Sequence, residues 1–568
     1  MASPKFPEPP SPVPPTPTDV ADSALRRLAA NKDAWVRVGI PERIGYLRQI
    51  SERIVVGSEA WVRDACRAKG LDPDAPHAGE EWLGGPMTTL RNVRMLIETL
   101  EAGGQPSIPS VRTRGDQQIA TVFPANLKDR LMFTGFVGEV WLEPGKAPTQ
   151  GRIYRDKAEG RHGAGKVSLV LGAGNVASIG PMDAFYKLFV EDEVVILKTN
   201  PVNAYLGPHL ERVMQPLIEA GFFAIVHGGA EIGQFLTHHE LVESIHMTGS
   251  DRTHDAIVWG GDPDEQARRK AANEPKITKP ITSELGCVTP VIVVPGEWSE
   301  SDLDFQARHV AGMVANNGSF NCNAAKVLVT AAGWPQEKAF LAKVRAALAG
   351  TPVRKAYYPG AKDRYRKFLE NYPEADRTSE ERDDVVPWTV LPSVPARAGE
   401  YALTNEAFCG VLAQVSLDAA DPVDFLRKVV PFANDEVWGT LSCVLLIHPS
   451  VEKAHPTEVD GAIADLRYGG IGVNVWAGVV YGLVATTWGA FPGHTLQDVR
   501  SGIGVVHNSY LLDHPQKSVV KAPFRIMPTP AWFADHRNQA SLGRALTQFE
   551  ASPGWLSLPS VILQAIRG

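Results

Sequence analysis

Apolar positions recur three and four apart through RIGYLRQISERIVVGSEAWV, and that period predicts helices over 19–70 and 79–102, with Pro41 near a helix start. From about residue 166 the pattern changes. KVSLVLG, EVVILKT and FFAIVHGG are predicted strands, each succeeded by a helical stretch: through Phe185 and Phe189, around 204–220, and near 230–237. ESIHMTGS is a further strand. Short β-branched runs alternating with helices predict a parallel α/β sheet. A second α/β stretch begins at ITSELGCVTPVIVV and runs past residue 440. Between the helical start and the first sheet, residues 136–156 (GFVGEVWLEPGKAPTQGRIYR) predict an extended hairpin. The last fifty residues carry Pro and Trp and no clear period.

Two segments stand apart from this pattern. Residues 1–20 hold eight prolines and no apolar run, so they exclude a secretory signal and predict a disordered, polyproline-like tail. Residues 468–497 carry no Asp, Glu, Lys or Arg, which by length would suit a membrane span. The six glycines from Gly469 to Gly489, with Asn474, Thr486 and Thr487, instead predict the buried, turn-rich wall of a pocket. The net charge of −7 gives no electrostatic footprint for nucleic acid or an anionic membrane.

The five cysteines are Cys66, Cys287, Cys322, Cys409 and Cys443. They are odd in number, widely spaced and free of any C-x-x-C pair. A disulfide framework and a structural zinc site are therefore not expected, and a reducing compartment, the cytoplasm, is. One of the five is a candidate nucleophile.

The turn LVLGAGNVASIG comes after a strand and opens a helix. Gly172, Gly174 and Ala177 satisfy G-x-G-x-x-A, and Glu191 to Glu193 stand at a distance that suits a dinucleotide fingerprint. Alone this is weak, because glycines at such turns are often only steric. The motifs downstream of the turn are more specific. In order come Asn175 in GAGNVASIG, Lys198 in VVILKTN, Gly249 and Ser250 in IHMTGS, Glu284 in TSELGC, Cys322 in NNGSFNCNAAKVLV, and Glu406 with Phe408 in NEAFCGVL.

Over roughly residues 120–510 this series resembles the NAD(P)-dependent aldehyde dehydrogenase superfamily. The resemblance implies an α/β fold with a Rossmann-like cofactor domain, an α/β catalytic domain and a β-hairpin oligomerisation arm. It places a cofactor domain at 21–283, interrupted by the 136–156 arm, a catalytic domain at 284–480, and a return segment with a C-terminal extension at 481–568. It implies a homodimer or homotetramer, since an apolar hairpin with an open edge needs a partner strand.

The resemblance also assigns roles. Cys322 would add to the aldehyde carbonyl, with the Asn175 amide and the Cys322 backbone N–H as oxyanion donors. Glu284 would activate the water that hydrolyses the thioester. Lys198 would hold the adenosine ribose of NAD or NADP. Gly249 and Ser250 would start a helix near the pyrophosphate. Glu406 would hold the nicotinamide ribose, with Phe408 beside the ring. No metal is implied.

Several positions depart from the family pattern. Cys322 stands four positions after Gly318 where the family usually has three, so the loop holds an extra residue. Cys287 and Cys409 stand where glycine is usual and are small-residue substitutions. Val288 and His254 replace a lysine and a glycine. Pro201 occupies the place of the glutamate common in NAD-preferring members, so a barrier to NADP is missing and NADP is expected to be accepted. Two alternatives stand beside aldehyde oxidation to an acid. One is a CoA-acylating aldehyde dehydrogenase or acyl-CoA reductase, which would commonly lack Glu284. The other is a non-catalytic scaffold that keeps the fold. Trp476, Phe185, Tyr186 and Asp183 are candidates for the substrate tunnel.

Overall fold

A computed structural model describes residues 13–568. The expected helical start is present as Thr18–Arg37, Ile40–Ala68 and Thr88–Glu101. Each is amphipathic, with its buried side chains at helical spacing, as in Leu47, Ile50, Ile54 and Trp61. The first twelve residues of the predicted tail lie outside the described residues. The rest of it is ordered: Thr16 donates from its backbone N–H to the His227 carbonyl, and accepts at its hydroxyl from the His227 N–H, both at 2.9 Å. The helix begins at Thr18, so the expectation of disorder through residue 20 fails for its last stretch.

The strands build two principal sheets. Six form one, in the order Gly502–Ile503, Ile281–Glu284, Ser244–Thr248, Val167–Leu171, Val194–Lys198 and Phe223–Val226. The last five of these are mutually parallel. Their continuous apolar runs reflect burial on both faces, with helices packed over the sheet. The second sheet has eleven strands. At its centre lie the parallel strands Gly470–Val473, Ser442–Leu446, Pro290–Val293, Val327–Ala331 and Val411–Leu417. One core cluster belongs to the first sheet and draws on residues between 21 and 285 together with Val499 and Leu511. A second belongs to the eleven-stranded sheet.

The hairpin expected over 136–156 is not there. Val137–Leu142 is a single strand, and Arg152–Ala158 is a helix. The hairpin lies earlier, between Ser110–Arg114 and Gln117–Phe123. Val137–Leu142 pairs antiparallel with Gln117–Phe123 on one side and with Pro515–Lys521 on the other. Pro515–Lys521 then pairs parallel with Gly470–Val473, so the arm extends the large sheet of its own chain. Glu139, Trp141 and Leu142 are buried there, which a free hairpin would not allow. The open edge that argued for a neighbouring subunit is therefore filled from within the chain. The terminal strand of this sheet, Ser110–Arg114, is short and carries Arg112 and Arg114, features that discourage edge-to-edge pairing.

The uncharged segment 468–497 is likewise internal. It forms the strand Gly470–Val473 and the short helix Gly478–Leu483. Among the described residues no helix is long and apolar enough to cross a membrane.

A candidate active site at the strand ends

Parallel strands carry ligands at their C-terminal ends, where helix N-termini and loops converge. Asn175 lies in the turn after Val167–Leu171, and Lys198 ends the neighbouring strand, its register partner being Leu171. Gly249 comes directly after Ser244–Thr248, and Glu284 ends Ile281–Glu284 opposite Thr248. The Gly249 N–H donates to the Glu284 carbonyl at 3.1 Å, tying these two strand ends together.

Cys322 comes from the other half of the molecule. The helix Glu300–Ala315 delivers the chain to the loop, where Asn317, Gly318 and Ser319 have φ of 53°, 66° and 69°. This left-handed run takes up the extra residue. Phe320 then turns inward onto Tyr357 and Tyr358, ring centroids 4.9 and 5.8 Å away. Asn321 donates to the Asn316 side-chain oxygen at 2.9 Å, so its amide is spent inside the loop. Cys322 faces the cavity, and the buried Glu284 carboxyl lies close enough to its thiol to influence its charge. Asn321 lines the same cavity, but its side chain is held within the loop by Asn316 and Asn317.

A buried network supports this loop. The Lys69 ammonium donates to Glu81 at 2.8 Å, to the Asn175 carbonyl at 2.9 Å and to the Asn317 side-chain oxygen at 3.1 Å. The Tyr357 hydroxyl donates to the same Asn317 oxygen at 2.9 Å. Glu80 accepts from the Asn317 N–H and from Arg354, both at 2.9 Å. Lys69 and Glu81 lie in the N-terminal helical region, far from any motif. No sequence signal singled them out, because a lysine and a glutamate on helices are normally solvated.

One proton of the Asn175 amide goes to the Phe320 carbonyl at 2.9 Å, leaving the other available. The Cys322 backbone N–H donates to no acceptor among the described residues. Glu284 is 3% exposed and its Oε1 has no hydrogen-bond partner. Burial, and after it the charge of Asp183, pushes its carboxyl up to about 8. Burial and the adjacent Glu284 push the Cys322 thiol well above its ordinary range, so the resting pair is a thiol beside a base of near-neutral strength.

The remaining cysteines lie in apolar surroundings. Cys66, Cys287, Cys409 and Cys443 are all buried, and burial pushes Cys66 to about 12 and Cys409 to about 11. Such thiols are inert fillers, which suits the small-residue reading of Cys287 and Cys409.

The residues present fit a nicotinamide dinucleotide. Lys198 is 8% exposed, pairs with no carboxylate among the described residues and donates only to the Thr199 carbonyl at 3.0 Å. Burial lowers it to about 8. A buried ammonium without a counter-charge suits sugar hydroxyls or a phosphate. Ser250 caps the helix Asp251–Trp259 and orients its free N–H groups. Glu406 is held by the Cys287 N–H at 3.4 Å, and burial raises it to about 7. Arg364 donates to the Ala407 and Phe408 carbonyls at 3.1 and 3.2 Å and fixes that turn. Phe408 packs on Tyr358 and on Phe320 of the lengthened loop. Position 201 begins a 3-10 helix capped by Asn200, with no carboxylate at the turn.

Of the tunnel candidates, only Trp476 lines the cavity, its indole N–H donating to the Asn323 carbonyl at 3.0 Å. Phe185 lies in the core of the six-stranded sheet, and Asp183 accepts from Thr248 at 2.9 Å.

Known proteins resemble this chain in sequence over one stretch and in fold over most of its length. The sequence model of the Aldehyde dehydrogenase family matches residues 188–362. A mouse 4-trimethylaminobutyraldehyde dehydrogenase is 34% identical over 112 residues, 19% of this chain and 19% of that protein. The bovine protein of the same name is 31% identical over 115 residues, covering 20% and 19%. The aligned stretch thus spans about a fifth of these curated relatives. Solved structures extend the likeness in fold. The glyceraldehyde-3-phosphate dehydrogenase of Methanocaldococcus jannaschii complexed with NADP superposes with a TM-score of 0.61 at 12% identity, covering 92% of this chain and 99% of that one. An NADP-dependent enzyme of E. coli gives 0.59 at 17%, covering 92% and 95%. Residues 188–362 thus match the aldehyde dehydrogenase family model, and the chain resembles these solved structures in fold over nine-tenths of its length.

Proposed function

We propose that this chain oxidises an aldehyde to a carboxylic acid with NAD or NADP as hydride acceptor. The observation that carries the reading is Cys322 on the wall of a cavity at the ends of the parallel strands, with Glu284 adjacent to its thiol and the Asn175 amide alongside. Cys322 adds to the carbonyl carbon while its thiol proton passes to Glu284. The carbonyl oxygen becomes an oxyanion, held by the free Asn175 N–H and the Cys322 backbone N–H. The nicotinamide supplies a hydride acceptor when bound. Glu284 carries one proton at a time, so it must release the thiol proton before it can take one from water. It then draws the attacking water onto the thioester carbonyl, and the acid leaves with the Cys322 thiol restored.

Lys198, Ser250 and Glu406 are assigned to cofactor binding. The missing carboxylate at Pro201 supports use of NADP as well as NAD, since nothing there would repel a 2′-phosphate. The relatives' substrates range from a trimethylammonio aldehyde to a phosphorylated one, so they do not choose the aldehyde here.

The test is an aldehyde panel monitored by cofactor reduction, with acid measured in the absence of CoA. Reduction and acid formation are expected in the parent and abolished by Cys322→Ala. Glu284→Gln is expected to slow the burst of reduced cofactor, and to slow the steady state more, because both the thiol proton and the water proton pass to this carboxylate. Thioester formation that requires CoA would instead favour the acylating reading, and full activity of the Cys322→Ala protein would overturn the proposal.

A further inference from the structure

The C-terminal segment of the chain has no part in the chemistry above, yet it reaches the reacting cysteine's cavity. Ala531, Trp532, Leu546 and Glu550 line the same cavity as Cys322 and Trp476. Resting on the reading of the chain as an aldehyde dehydrogenase, we infer that the segment 531–550 is the specificity wall of the site, and that it selects an aldehyde whose seated portion is uncharged and apolar.

Two observations carry this. The first is that the wall is docked rigidly. Glu550 is 2% exposed and accepts from Arg91 at 2.7 Å and from Arg94 at 2.8 Å. Arg91 in turn donates to the Leu483 carbonyl at 2.8 Å, which joins the wall to the short helix carrying Tyr481. The helix Gln539–Ala551 approaches so closely that a Cβ at Gly79 would meet the Gln539 carbonyl oxygen at 2.5 Å, and one at Gly543 would meet the Trp82 Cβ at the same distance. A Cβ at Gly312 would meet the Trp532 carbonyl oxygen at 2.6 Å. Glycine at three contact points is what permits this fit.

The second observation is the charge arrangement. The charged residues that line the cavity are all paired: Lys69 with Glu81, Arg91 with Glu550, and Glu80 with Arg354 set back from the wall. Each charge is already neutralised by its partner, so none is left for a ligand's phosphate or ammonium. A charged group seated there would be desolvated without compensation. Apart from Thr88 and the asparagines around Cys322, the rest of the lining is apolar and includes Met87, Phe133, Ile179, Val479, Trp532 and Leu546. Such a lining favours hydrocarbon by area removed from water.

The test uses the full chain and straight-chain aldehydes of increasing length, with a quaternary-ammonium aldehyde and a phosphorylated aldehyde as charged probes. Leu546→Trp is expected to narrow the cavity and lower the long-to-short ratio of kcat/KM at least tenfold. Trp532→Ala is expected to move the optimum to longer chains. In parallel, 1-octanol, an uncharged non-reacting probe, is titrated by tryptophan fluorescence into the parent, Cys322→Ala and Leu546→Trp proteins. It is expected to bind the first two alike and the third at least tenfold more weakly. A length profile unmoved by both wall variants, or a tenfold preference for either charged aldehyde, would overturn the inference while leaving aldehyde oxidation standing. Loss of octanol binding in Leu546→Trp, in a protein that oxidises no aldehyde, would keep the wall and sink the enzymatic reading instead.

Discussion

At the scale of single residues, Glu284 sets the behaviour most open to measurement. Its carboxyl is raised to about 8 by burial and then by Asp183, and only the carboxylate can take a proton from water. Deacylation is therefore expected to rise with pH through about 8 and to fall about tenfold per pH unit below it. Removing the charge of Asp183 lowers the pKa of Glu284, so Asp183→Asn should move this acid limb to lower pH in a kcat profile. An unmoved limb would mean that another group controls it. Lys69 shows the opposite balance: burial disfavours its charge, but Glu81 together with Tyr205 and Glu80 outweighs that and raises the ammonium above its ordinary value. Replacing it with Met would strand Glu81 in the interior, for a loss of roughly 3–5 kcal/mol, readable as a lowered thermal midpoint. Neither Lys69 nor Tyr357 stands out in the sequence, whereas Cys322 and Glu284 do. Motif spacing marks the groups proposed to react and is silent on the groups that hold them in place.

At the scale of elements, the turns matter more than the strands. The turn after Ile281–Glu284 passes so near Glu406 that a Cβ at Gly286 would lie against the Glu406 Oε2, far inside contact distance. The obstructed atom is the far end of a side chain, so Gly286→Ala should displace Glu406 and leave the fold nearly intact. The expected result is a several-fold rise in cofactor KM with little change in thermal midpoint, checked by steady-state kinetics beside a melting curve. The extra residue before Cys322 is an element-scale problem too. Spacing counts revealed it, but its accommodation by three left-handed residues, with Phe320 packed on Tyr357, Tyr358 and Phe408, lies beyond them. The predicted strands of the six-stranded sheet agree closely with Val167–Leu171, Val194–Lys198, Phe223–Val226 and Ser244–Thr248. The 136–156 hairpin failed because a Gly- and Pro-containing stretch with alternating residues fits a hairpin and a lone strand equally well. The pairing partner, Pro515–Lys521, is almost four hundred residues away.

At the scale of the whole molecule, the chain closes on itself. Its arm, its C-terminal return strand and its catalytic sheet are hydrogen-bonded in one array. An obligate oligomer melts at a temperature that depends on protein concentration. Here the midpoint is expected to stay constant over a hundredfold range, and a steady rise with concentration would show that a neighbouring chain supplies part of the fold. The C-terminal helix is bound to the body through Glu550, and removing one side of that buried cluster by Glu550→Ala should lower stability by about 3–5 kcal/mol, measured by denaturant unfolding.

Local pattern was enough to read the α/β class, the succession of parallel strands and the candidate site residues, because hydrophobic period and motif spacing are properties of neighbouring positions. Long-range contacts settled the rest: which strand fills the edge of the large sheet, which buried lysine steadies the nucleophile loop and which segment walls the cavity. Each of these depends on groups distant in the chain. Their meeting is set by complementary burial, close backbone approach and paired charge, and none of those is written in a local pattern.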